Sequence, residues 1–471
     1  MPDFGPNYRA VRPEGDNMSS PGSRGIPVPL QNRDFAGKTP RRPAPATPRS
    51  VSPAFQMRFF ARDLLAGIIT GAMAVPLSVG IALMSDYPIK VALFTVVFAC
   101  LVGWVCAFFK PGNFVGVPGV AAGLASVLAL GIASFGIENM AFVIFLTASL
   151  QALIWKFNWQ RYILLAVPSY LVEGLLAGIG LTIAVKFFTF TYEIPPELET
   201  ADIFWNAARI QMMLISISGF AIFAWLFSRL QNTQPAVPYF LLVGASIVLA
   251  RYLPMPMVHV DDVDLGLELP VPNFSGALTW LYVVGFAAML AVINVIEQVM
   301  SNAAIEKIDP LGRKCNTNNS LFAIWIANMG SSFFGGMTNL DGLAKSTTNK
   351  LAGAMTKFSV LVIAIVVTFF VLNTAYLEYL PKFSLAAIMI FSGWKMIAGL
   401  WRVAHYGQYA LMLAVACALL VYKMGIFEGL LIALAVHGLI NYVVFNQAGK
   451  IPGMVIIRKY LKRFSSNGGV D

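Results

Sequence analysis

Two ionisable residues stand inside long apolar runs, and each could do chemistry there. Lys345 lies in FFGGMTNLDGLAKSTTN, residues 333–349. A charge near the middle of a bilayer costs about 2.5 to 3.5 kcal/mol even on a lenient insertion scale, so it should face a cavity and have a partner. An ammonium beside the free amides at the start of a short helix suits an anion. Asp341, four residues earlier, offers a competing reading: on a continuous helix it would share a face with Lys345 and neutralise it. Glu297 is the second, in LAVINVIEQVMSNAAIEKI, residues 290–308. A carboxyl so surrounded is a group to exchange a proton or bind a cation, or else one bonded to neighbouring backbone or to Lys345 only to hold the core. Ser301, one turn on, adds a hydroxyl that leaves sodium as well as protons in play.

Other residue types give less. Glu173, Lys186 and Lys395 fall toward segment ends, where a long side chain can reach the headgroups, and read as structural. His259, His405 and His437 are scattered with no second ligand at metal spacing, so no metal site is expected. Cys100, Cys106, Cys315 and Cys417 show no CxxC or CxxH spacing, and three of them lie in apolar runs as small hydrophobes. No nucleophile with a neighbouring base, Walker loop or nucleotide fingerprint appears. The reading is therefore not an enzyme, with no cofactor, and with no ATP-driven step on this chain.

Such residues have to be positioned by a membrane fold. With 58% hydrophobic and only 12% charged residues in 471, the chain would expose more apolar surface than water tolerates. Its net charge of +10 sits mainly in the N-terminal arm and at the ends of apolar runs, which membrane topology explains without nucleic acid. The arm is rich in Pro, Arg, Ser and Gly, reads as disordered, and shows no secretory signal before Phe59. From Asp63 onward about fourteen apolar segments are long enough to cross or enter a bilayer. They run approximately 63–85, 91–109, 114–134, 139–155, 164–188, 209–228, 236–253, 278–301, 320–334, 337–354, 357–376, 381–400, 408–423 and 425–446. An even number returns both termini to one side. Arg41, Arg42, Arg49, Arg58 and Arg62 before the first span, and Arg458, Lys459, Lys462 and Arg463 after the last, make that side the cytoplasm.

Two segments break the pattern. The third begins GNFVGVPGVAAGLAS and the tenth FFGGMTNLDGLAKSTTN, each placing poorly helical sequence ahead of a short helix. Such backbone must line a cavity or be buried in protein. Gly123, Leu124, Ala125 and Ser126 match Gly342, Leu343, Ala344 and Lys345 weakly, as an internal repeat would. Interrupted segments in corresponding halves point to a transporter's midplane site, with half-helix N-termini offering positive partial charge. The plain alternative is that Gly and Ala here only permit tight helix packing.

The runs RDLLAGIITGAMAVPLSVGIALMS (62–85), GVPGVAAG (116–123), LVEGLLAGIGLTI (171–183), RKCNTNNSLFAIWIANMGSSFFGGM (313–337) and LAKSTTNKLAGA (343–354) also carry a resemblance. In order, and over residues 60 to 447, the chain resembles the sulfate permease family of anion transporters. The resemblance implies an all-α polytopic membrane protein of fourteen segments in two inverted repeats of seven, forming core and gate domains, with short strands at the broken segments. Its divisions would be a cytoplasmic arm (1–58), a first repeat (59–254), a connecting loop (255–276), a second repeat (277–447) and a cytoplasmic tail (448–471). It implies a substrate site among Leu77, Ser78 and Ile81, Gly119, Val120 and Ala121, and Ala344, Lys345 and Ser346. Glu297, Ser301 and Asp341 become the ion-coupling candidates.

Three departures matter. Most members carry a C-terminal STAS domain, and this chain stops at Asp471; a Gln that often follows the Pro of the first span is Leu77; and the usual Arg of segment ten is Lys345, which keeps the charge but loses the bidentate fork. The expected function is secondary transport of a small anion, bicarbonate or sulfate among them, by alternating access with protons or sodium, in the plasma membrane of a bacterium. A homodimer is allowed for. The competing classes are a nucleobase–cation symporter of the same fold and an anion-binding channel, motor or sensor without coupled transport.

Overall fold

Lipid offers no hydrogen bonds, so a spanning chain closes its backbone bonds within each segment, and the apolar runs form helices. The computed structural model describes residues 52–120, 122–166, 168–198, 205–261, 263–267, 269–405 and 407–440. The arm before residue 52, Ala121 and the tail lie outside them. In the first half the chain forms α1 (Phe60–Ser85), α2 (Ile89–Cys106), strand β1 (Pro118–Val120), α3 (Ala125–Phe135), α4 (Ile137–Lys156), α5 (Gln160–Ala166), α6 (Ser169–Phe188), α7 (Ala207–Leu230) and α8 (Val237–Leu249). The second half follows with α9 (Ala277–Ile308), α10 (Thr317–Ser332), strand β2 (Asn339–Asp341), α11 (Leu343–Leu351), α12 (Phe358–Leu372), α13 (Lys382–Ile397), α14 (Gly399–Ala404), α15 (Gln408–Met424) and α16 (Ile426–Gly438). Among the described residues, seven helices are long and apolar enough to cross a bilayer, with shorter apolar helices between them. The short helices α5 and α14 have no counterpart among the expected segments.

Glycine lets these helices approach closely, the usual means of packing where lipid removes the hydrophobic drive. A Cβ on Gly71 of α1 would lie 2.8 Å from the Cβ of Val366 on α12, and one on Gly180 of α6 would lie 2.5 Å from the carbonyl oxygen of Gly393 on α13. Large side chains elsewhere on the bundle, Leu214, Ile222 and Trp225 of α7 among them, are exposed. They form the surface that lipid covers.

The charged residues read as structural each have a partner. Asp86, in the left-handed region at φ 56°, ends α1, and Lys186 caps that end by donating to the Met84 carbonyl at 2.6 Å and the Asp86 carboxylate at 3.0 Å. Glu173 pairs with Arg402 at 3.0 Å. Lys395 places its ammonium 3.8 Å from the centre of the Phe227 ring, so an aromatic face receives it where headgroups were expected.

Ahead of α1 the chain is wedged against the start of α12. The Lys357 amide donates to the Pro53 carbonyl at 2.9 Å, Ala54 is fully buried, and the Phe55 ring meets Phe358 edge-on with centroids 5.1 Å apart.

Candidate functional site

The two broken segments meet. Pro118 has no amide hydrogen to give a helix, and Gly119 at φ 152° holds backbone that L side chains rarely adopt. The resulting extended residues pair with each other: β1 runs antiparallel to β2, with Pro118 opposite Asp341, Gly119 opposite Leu340 and Val120 opposite Asn339. The Gly342 amide adds a hydrogen bond, donating to the Val117 carbonyl at 3.0 Å. Each strand runs on toward a short helix, β1 through a 3-10 turn at Ala122–Leu124 into α3 and β2 directly into α11. The ribbon therefore has a helix N-terminus close to either end, with free amides and a positive partial charge. That turn has no counterpart in the second half, so the strands align two residues out of step with the Gly-Leu-Ala match read from sequence.

A scaffold of buried amides holds the ribbon. Asn328 Oδ1 accepts from the Asn339 amide at 2.8 Å and from its side chain at 2.6 Å, while Asn328 Nδ2 donates to Gln151 at 2.8 Å. Asn294 donates to the Asn339 carbonyl at 3.1 Å. Gln298 grips Asp341 twice, accepting from its amide at 2.9 Å and donating to its carboxylate at 2.7 Å. The Ser346 hydroxyl accepts from the Val117 amide at 3.0 Å and donates to the Gly342 carbonyl at 2.7 Å, tying α11 back to the lead of β1. Neutral amide partners fix this backbone out of water without burying further charge. Sequence reading named Ser346 for the anion; its hydroxyl is engaged on both sides. The Asn and Gln residues were missed, because polar pairs between distant spans leave no periodic trace.

At the ribbon two charged groups, Lys345 and Glu297, also carry a buried atom with no hydrogen-bond partner. Lys345 on α11 is 2% exposed, and its Nζ has no hydrogen-bond partner. It lies over Gly119, where an added Cβ would be 2.5 Å from Nζ. Glu297 on α9 is partly buried with its Oε1 shielded and unbonded, and it lies over Gly123, where a Cβ would collide with that oxygen. Glycine at these two positions gives each charge its room. No ion pair within 4.0 Å joins Lys345 to Glu297 among the described residues, which removes the expectation of a purely mutual bond.

The competing reading, in which Asp341 and Lys345 share a helix face, does not hold. It is a strand residue, so the one-turn spacing to Lys345 does not operate. Its carboxylate instead accepts from Asn113 at 2.7 Å and Gln298 at 2.7 Å and lies 4.0 Å from the Nζ of Lys357. Lys357 was missed in sequence, where it resembles any lysine at the start of a span. Ser301 donates its hydroxyl to the Asp341 carbonyl, a structural bond one turn below Glu297.

The remaining named residues divide by position. Leu77, Ser78 and Ile81 are buried on α1 below its internal Pro76, with the Ser78 hydroxyl unbonded. Val120 is buried in β1, whereas Ala344 is exposed at the first turn of α11. Ala121 lies outside the described residues. Among those residues, no group of three or more His, Cys, Asp and Glu side chains is placed to hold a metal ion.

Comparison with known proteins gives consistent matches. The model of the Sulfate permease family matches residues 60–418. The putative sulfate transporter YvdB of Bacillus subtilis (strain 168) is 25% identical over 409 residues, covering 80% of this chain and 74% of that protein. The transmembrane domain of the cyanobacterium bicarbonate transporter BicA has a TM-score of 0.65 at 19% identity, covering 80% of this chain and 98% of that one. The murine Slc26a9 anion transporter in its inward-facing state has a TM-score of 0.66 at 18% identity, covering 83% of this chain and 69% of that one. At such identities the two structures speak to the fold.

Proposed function

The chain belongs to the sulfate permease family and is a secondary transporter of small anions, not an enzyme, and on that premise we propose that it carries a compact oxyanion, sulfate or bicarbonate, coupled to an inward-moving cation. The observation that carries this reading is the pair of charges set over Gly119 and Gly123, each with a buried atom that has no hydrogen-bond partner. An anion arriving at the ribbon meets the Lys345 ammonium and the free amides of α11 and α3, which together replace its water. Ala344 and the glycines leave space for a small, compact ion. Lysine supplies a point charge without a fork, so it favours charge and size over a fixed planar geometry.

Glu297 takes the second half of the task. A carboxylate facing the anion's pocket opposes binding until it is neutralised, so loading a proton or sodium on Glu297 and loading the anion favour each other. Protons are preferred over sodium, because Glu297 lies in an otherwise apolar run and a single nearby hydroxyl, that of Ser301, is evident from spacing. Family membership sets the nucleobase carrier aside. The finer architecture proposed is fourteen segments in two inverted repeats, 59–254 and 277–447, working as core and gate. Both termini would face the cytoplasm of a bacterium, and a homodimer is compatible with this arrangement.

The test is uptake of labelled sulfate and of labelled bicarbonate into proteoliposomes with an imposed proton or sodium gradient. Uptake of at least one anion above its equilibrium level, driven by protons alone, is expected for the wild type. Lys345→Ala should abolish anion binding in folded protein, with Lys345→Arg retaining part of it; calorimetric binding at unchanged affinity in Lys345→Ala would sink the reading.

A further inference from the structure

The side chains of Lys345 and Asp341 occupy different surroundings. Lys345 sits over Gly119, while Asp341, the next residue of β2 after the Leu340 that pairs with Gly119, is held by Asn113 and Gln298. An anion resting against Lys345 would therefore feel Asp341 as a negative charge behind the ribbon. Low-dielectric surroundings transmit that repulsion with little loss. Lys357 stands on the Asp341 side. It is 4% exposed, donates to the Gly116 carbonyl at 2.6 Å, and lies 4.0 Å from the Asp341 carboxylate. The pair borders a polar cavity of about 20 Å³ that also touches Asn113, Ser320 and Lys110, enough for one water between charged groups. At 4.0 Å the contact is longer than a direct hydrogen bond, so it is chiefly a Coulombic one.

We propose that Lys357 is a positioning residue whose charge cancels that of Asp341 behind the ribbon, leaving the field at Gly119 to Lys345. This rests on the reading of Lys345 as the anion's partner. Four buried charges then have two kinds of work. Asp341 and Lys357 compensate each other and anchor the lead into β1 at Asn113 and Gly116 and the end of β2 to Gln298 of α9. Lys345 and Glu297 stay uncompensated and meet the transported ions. Asp341 is accordingly removed from the coupling candidates.

The proposal has a sign pattern that damage to the fold would not produce. Removing Lys357 with Lys357→Met leaves Asp341 bare and should weaken anion binding by about tenfold. Removing Asp341 with Asp341→Asn leaves Lys357 bare as a second cation and should tighten binding by a similar factor, lowering KM and the maximal rate together as release slows. The double variant carries neither charge and should bind within about threefold of the wild type, since the two effects share one origin and cancel. Sulfate, bicarbonate and chloride are each titrated calorimetrically into detergent-purified protein, with Lys345→Ala beside them and folding checked by gel filtration. Weaker binding in both single variants, or loss of binding in the folded double variant, overturns the proposal. If Lys357→Met fails to fold, the Asp341→Asn variant and the double variant still decide it. Retained affinity in Lys345→Ala would instead overturn the reading of the site itself, whatever Lys357 does.

Discussion

If Glu297 carries the coupling ion as proposed, a single exchange at its carboxyl separates binding from accumulation. Glu297→Gln keeps the size and hydrogen-bonding capacity of the side chain and removes its charge and its titration. Binding of the anion is expected to persist or tighten, because the carboxylate that opposed it is gone, while uptake against a gradient should fall to the equilibrium level. The measurement is proteoliposome uptake with imposed ion gradients, set beside calorimetric binding. Accumulation with the wild type's ion dependence would make Glu297 structural. Ser301→Ala gives a second reading at this scale. Its hydroxyl bonds the Asp341 carbonyl, so the substitution should cost about 0.5 to 1.5 kcal/mol of stability, the usual net worth of such a bond. It should leave sodium and proton dependence as they were. A selective loss of sodium-driven uptake would assign the hydroxyl to the ion.

At the scale of elements, the glycines of the third segment matter as much as the charges. Gly123→Ala places a methyl where Glu297 Oε1 now lies, and the carboxyl must turn away. The expected result is folded protein with binding intact and coupled uptake reduced by at least about tenfold, since a misplacement of about 1 Å at a site can cost two orders of magnitude. Uptake at the wild-type rate would show that Glu297 moves freely at no cost. These breaks were legible in sequence because Gly and Pro interrupt a run that lipid otherwise requires to be helical. Lys345 and Glu297 were legible for the same reason, each being a charge amid apolar neighbours. Lys357 and the scaffold of Asn113, Asn294, Gln298, Asn328 and Asn339 were not. Their meaning lies in contacts between spans far apart in the chain, and neither period nor spacing records which polar residue faces which. The competing pairing of Asp341 with Lys345 falls for a related reason: the four-residue interval is informative only once the chain between is known to be a helix, and it begins in a strand.

Among the described residues, glycine-seamed helices surround one short ribbon, and the lead into α1 reaches that ribbon through few residues. The Pro53 carbonyl receives the amide of Lys357, whose side chain in turn reaches Gly116 and Asp341. Removing residues 1–50 should leave transport and thermal stability unchanged. Removing residues 1–56 strips Pro53, Ala54 and Phe55 from the start of α12, and should lower the melting temperature by a few degrees and reduce flux, as read by thermal shift and liposome uptake on the same preparations. Equal behaviour of the two truncations would mean that the wedge is ornamental. For anyone building tools from this protein, the same wedge marks a cutting line. A fluorescent partner or affinity handle joined ahead of residue 50 leaves the sequence of the wedge untouched, whereas one joined at Ala54, which has no exposed surface, would be inserted into the packing that seats Lys357.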